Sequence, residues 1–96
     1  MKIKEHLILR QVGGKYIVIE PGTEVIDMTY VYILNYTAVW LWTKLKDTDF
    51  KATTIVDLLI KEFDIEFESA QNAAVQFINT LTTYDLLETY NNQIHG

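Results

Sequence analysis

The chain has 96 residues, 49% apolar and 22% charged, which is the composition of one globular domain with one core and not of a disordered segment. Its net charge of −5 lies wholly beyond residue 34: residues 1–34 balance four basic against four acidic side chains, and residues 35–96 set four lysines against nine acids. An acidic half of this kind argues against phosphate backbones as partners, and the absence of cysteine excludes disulfides, thiolate metal sites and cysteine nucleophiles.

The opening MKIKEHLILRQ alternates charged and apolar residues and has no long apolar stretch of the signal-peptide kind, so the expected compartment is the cytoplasm. Leu7 to Val12 and Lys15 to Glu20 are rich in β-formers and predict two strands. Gly13-Gly14 between them suits a two-residue type I′ hairpin turn, which needs positive φ at both central residues. Pro21-Gly22 ends the second strand. Val25 to Leu34 is a third β-rich stretch, strongest at Val31, Tyr32 and Ile33.

Asn35 then opens a helix, because its side chain can accept from the free N–H groups of a first turn. Ala38, Leu41, Trp42 and Leu45 recur at three and four and predict its inward face. Val31 to Trp42 is interrupted by Asn35 and Thr37, and is too short and polar to span a bilayer. Asp47 to Ala52 reads as a polar loop. Thr53 or Thr54 caps a second helix to Phe63, with Ile55, Leu58, Leu59 and Phe63 inward. A third helix is predicted from about Glu68 to Tyr84, with Ala70, Ala73, Ala74, Phe77, Ile78 and Leu81 as its apolar stripe. Leu86 and Leu87 dock after it, and residues 88–96 form a frayed tail. The whole chain, 1–96, is thus expected to be a single α+β domain, winged-helix-like, with three N-terminal antiparallel strands followed by three helices.

Little in the chain supports chemistry. The two histidines, His6 and His95, stand at opposite ends and form no metal-binding pair. Glu62, Asp64, Glu66 and Glu68 alternate acids with apolar residues but lack the central glycine of a calcium loop. No phosphate loop or Ser/His/Asp set is visible. The expectation is therefore no catalytic residue, no metal and no cofactor. Tyr36 and Trp40 lie off the inward stripe of the first helix and are candidates for a partner interface.

The run Leu34-Asn35-Tyr36-Thr37-Ala38, followed by Leu41-Trp42, resembles the PqqD-like domains, named for the D protein of pyrroloquinoline quinone (PQQ) synthesis. Those domains show a strand entering Leu-Asn-x-Thr-Ala and then an apolar helix, often with a tryptophan. Thr54 to Leu59, Glu62-Phe63-Asp64, Phe77-Ile78-Asn79-Thr80-Leu81 and Leu86-Leu87 match the segments that follow, and Leu9 to Val12 suits the first strand. The likeness runs from about Leu7 to Glu88. Asp47 to Phe50 stands where relatives often carry glycine after the first helix, and Asp85 where glycine commonly precedes the final Leu-Leu. Aspartate tolerates a left-handed backbone better than most residues.

The resemblance implies a peptide chaperone. Such domains bind the leader of a ribosomally synthesised precursor peptide and present it to a modifying enzyme, often a radical S-adenosylmethionine maturase. The leader is expected to add as a strand beside Val31, Tyr32, Ile33 and Leu34 and to rest on the third helix. There Ala74 and Ile78 belong to the inward stripe and Gln71 and Val75 flank it. Competing readings are a structural subunit or homodimerisation module, and a winged-helix DNA-binding protein. The third helix, Glu68 to Tyr84, contains no lysine or arginine, which disfavours DNA. No membrane partner is expected.

Overall fold

The computed structural model describes residues 1–20, 30–33 and 35–88, with residues 30–33 described in their backbone pairing. The class is α+β, an antiparallel sheet preceding three helices. Strands β1 (Ile8–Val12) and β2 (Lys15–Ile19) form a hairpin with Leu9 opposite Val18 and Val12 opposite Lys15. Strand β3 (Tyr30–Ile33) runs antiparallel along β2, Ile33 opposite Tyr16 and Tyr30 opposite Ile19. The expected Pro21-Gly22 turn and residues 25–29 and 34 of the expected third strand lie outside the described residues, as do residues 89–96 of the expected tail.

The hairpin turn differs from the expected type I′. Only Gly13 has positive φ, at 63°. Positive φ at the first central residue alone is the pattern of type II′, which fits the strand twist equally well and needs one glycine, not two.

Helix α1 (Tyr36–Leu45) begins as the sequence predicts: Asn35 Oδ1 accepts the Ala38 N–H at 2.7 Å. Helix α2 (Ala52–Phe63) starts earlier than predicted. Lys51 is its cap, and Thr54 lies inside the first turn, where its hydroxyl accepts the Lys51 N–H at 3.1 Å. Helix α3 (Phe67–Thr83) takes in Phe67 and ends before Tyr84. Three aspartates occupy the left-handed region: Asp47 after α1 (φ 71°), Asp64 capping α2 (φ 53°) and Asp85 after α3 (φ 58°). Asp47 lies in the turn, and Asp85 at the position, where relatives often carry glycine, and aspartate takes the left-handed conformation.

The core gathers Val18 from the sheet, Leu41, Trp42 and Leu45 from α1, Ile55, Val56 and Leu59 from α2, and Ala70, Ala74, Phe77 and Leu81 from α3. Of the predicted inward residues, Ala38, Leu58, Phe63, Ala73 and Ile78 are half-buried and pack against this core. Val56 of α2, outside the predicted inward set, is buried too. The loop before α2 hides Phe50, 1% exposed. Its N–H donates to the Met1 carbonyl at 2.7 Å, which anchors the segment as a core element. The N-terminal segment is built in as well. Ile3 is buried and forms an isolated antiparallel bridge with Leu87. The Lys4 N–H donates to Leu86 O at 2.9 Å, and the Glu88 N–H to Lys2 O at 2.7 Å. Leu86 is buried and Leu87 packs beside the core. No helix among the described residues is long and apolar enough to cross a membrane.

Candidate functional site

The sheet order β1-β2-β3 gives β3 a hydrogen-bonded neighbour on one side among the described residues. Its outer edge therefore offers backbone N–H and C=O groups to an added strand. Val31, Tyr32 and Ile33 lie in this strand; Leu34 lies outside the described residues.

Where β3 gives way to α1, a groove of about 260 Å³ opens between the first turns of α1 and the second half of α3. Its floor is apolar and buried: Leu41, Phe77, Leu81 and Leu86. Ala38 and Ala73 form low walls. Asn35, Thr37, Gln76 and Thr80 supply a polar rim, and none of the described lining residues is charged. Two rim groups are held in place. The Asn35 side-chain oxygen is occupied by the Ala38 N–H, and the Thr80 hydroxyl donates to the Gln76 carbonyl at 3.0 Å. A cavity of about 150 Å³ already admits benzene, so this groove has room for a large apolar side chain.

Three of the α3 residues expected beside β3 line a groove other than this one. Gln71, Ala74 and Val75 line a second groove, on the α2 side of α3, with Ala52, Thr53, Val56, Asp57, Phe67 and Asn72. Ile78 is half-buried against the core and lines neither groove. The face of α3 toward the start of α1 is carried by Ala73, Gln76, Phe77 and Thr80. That is the neighbouring phase of the same helix, spaced at three and four. Of these, sequence reading assigned Ala73 and Phe77 to the core and missed Gln76 and Thr80.

The expected Tyr36 and Trp40 pair is divided. Tyr36 is 72% exposed. Trp40 is half-buried and meets the Phe63 ring edge-on, centroids 5.1 Å apart at 72°. Lys44 Nζ lies 5.6 Å from the Trp40 ring centroid. Trp40 thus joins α1 to α2, leaving Tyr36 as the open aromatic.

Residues 5–87 match the family model described as Coenzyme PQQ synthesis protein D (PqqD). The chain belongs to the PqqD family. No curated protein matches it in sequence. Among solved structures it is similar to TbiB1 in complex with the TbiA(beta) leader peptide, at 18% identity and a TM-score of 0.67, over 96% of this chain and 100% of that one. At that identity the likeness is one of fold. Within the PqqD-family chain, the motif residues Asn35, Thr37 and Ala38 now have a place: all three line the groove at the start of α1. The motif was the signal in the sequence for this site, although its residue types alone read as a helix cap and a first turn.

Proposed function

We propose that this protein is a non-catalytic peptide-binding domain that holds the leader of a ribosomally synthesised precursor peptide for a modifying enzyme. The product is PQQ or a related peptide-derived molecule. The carrying observation is that β3, whose one hydrogen-bonded neighbour among the described residues is β2, leads within two residues to Asn35 at the rim of an apolar groove. A strand added to β3 gains main-chain hydrogen bonds, and alternate side chains reach pockets beside the edge. One apolar leader side chain enters the groove over Phe77 and Leu81, and Asn35 and Gln76 contact its backbone at the rim. Membership of the PqqD family and a fold shared with TbiB1, whose structure contains a leader peptide, support this reading. The arrangement is read as winged-helix-like, the compartment as cytoplasmic, and the partner enzyme as a radical S-adenosylmethionine maturase or another modifying enzyme.

Two other readings are weaker. In a DNA-binding winged helix, α3 would carry the recognition surface, yet it contains no lysine or arginine. A homodimerisation module would leave the apolar groove without a role. Titration of the full chain with the precursor peptide encoded beside its gene, and with that peptide shortened to its core part, tests the proposal. Saturable binding of the full precursor and none of the core part is expected. Equal binding of both peptides, or of neither, would overturn leader recognition.

A further inference from the structure

Part of the floor of the groove between α1 and α3 is made by the turn that ends α3. Tyr84 caps the helix, and Asp85 follows in the left-handed region at φ 58°. The Leu86 N–H donates back to the Leu81 carbonyl at 2.8 Å, and the Asp85 N–H to the Thr82 carbonyl at 3.1 Å. These two bonds make a Schellman motif, which is often accompanied by an apolar contact between the residue after the left-handed one and the last turn of the helix. Here those two residues are Leu86 and Leu81, 6% and 1% exposed, and both floor the groove. Leu86 is held from its other side as well. Its carbonyl accepts the Lys4 N–H at 2.9 Å, and the next residue, Leu87, bridges Ile3.

Asp85 itself does not line the groove. Its side chain is 82% exposed, and its carboxylate meets Lys4 Nζ at 3.2 Å, an exposed pair of little energetic weight. What the position contributes is its backbone conformation. Glycine, asparagine and aspartate take a left-handed φ readily, whereas a β-branched side chain is strained there. We propose that Asp85 is a positioning residue for leader recognition: its left-handed backbone sets Leu86 against Leu81 and so completes the apolar floor of the groove. The inference rests on the leader reading of this groove and adds to it a residue that acts from outside the lining.

Calorimetric titration of the full chain and its variants with the precursor peptide is the test. Asp85→Gly and Asp85→Asn keep the backbone preference without the carboxylate, and should bind within about twofold of the unsubstituted protein. Asp85→Val should bind roughly tenfold more weakly, with circular dichroism showing the fold retained. Asp64 is the control, because it caps α2 at φ 53° and lines neither groove. Asp64→Val carries a similar backbone strain and should leave leader affinity unchanged, whereas a simple loss of stability would act alike in both valine variants. Should Asp85→Val fail to fold, the unsubstituted protein still decides: the Leu86 amide and methyl resonances should shift as the peptide is added, and the Asp64 amide should not. Unchanged affinity in folded Asp85→Val, equal losses in the two valine variants, a loss in Asp85→Gly as large as in Asp85→Val, or a silent Leu86 would overturn the proposal. No binding by the unsubstituted protein would overturn leader recognition itself, and this inference with it.

Discussion

Replacing Trp42 with alanine is expected to destabilise the domain by about 3–5 kcal/mol. The indole is 3% exposed and sits in the core cluster with Leu41 and Leu45 of the same helix. Its removal takes a large apolar surface out of the core and leaves a cavity that rigid neighbours fill only in part. A domain of this size has about 5–15 kcal/mol of stability in all, so a large share is lost from one side chain. Urea unfolding followed by circular dichroism measures it. A loss under about 1 kcal/mol would mean that α1 does not present Trp42 to the core. Phe77 is buried too, but it also floors the groove, so Trp42 is the cleaner test of packing.

Ala73→Phe is expected to weaken leader binding by roughly 10- to 100-fold, the equivalent of losing about 1.5–3 kcal/mol of side-chain burial. Ala73 is a half-buried wall of the groove at the start of α1, so a phenyl ring there can occupy the space without entering the core. Ala74→Trp would report on something else. Ala74 is 1% exposed, and a tryptophan there must displace core atoms. Calorimetric titration with the precursor peptide, with circular dichroism as the check on folding, gives the result. A folded Ala73→Phe protein with unchanged affinity would remove the groove from the recognition site and leave the β3 edge alone.

Periodic apolar faces were the legible part of the sequence. Leu41, Trp42 and Leu45 in α1, and Ala70, Ala74, Phe77 and Leu81 in α3, recur at helical spacing and are buried. The Asn35 cap and the left-handed aspartates follow equally local rules. Contacts between distant segments were not legible. Phe50 is a lone aromatic among polar residues and has no period. Its backbone is hydrogen-bonded to Met1, 49 positions away. Ile3 and Leu87 form one bridge from opposite ends of the chain. The same limit shaped the candidate site. Helical spacing identifies the inward stripe of α3, but which flank of that stripe meets the start of α1 depends on how α1, α2 and α3 cross. Gln71 and Val75 lie on one flank and Gln76 and Thr80 on the other. Trp40 shows the reverse problem: it leaves the stripe of α1 yet finds Phe63 on α2.

Strand addition at β3 is the central claim, and amide hydrogen exchange of β3 with and without saturating precursor peptide tests it most directly. An edge strand keeps half of its N–H groups turned away from its one neighbour. Those of Tyr30–Ile33 that are not paired to β2 should exchange freely in the free protein. On peptide binding they should slow markedly, while the amides along β1, Ile8–Val12, stay as they were. A peptide that binds tightly and leaves β3 exchange unchanged, or that protects the β1 edge instead, would contradict the account.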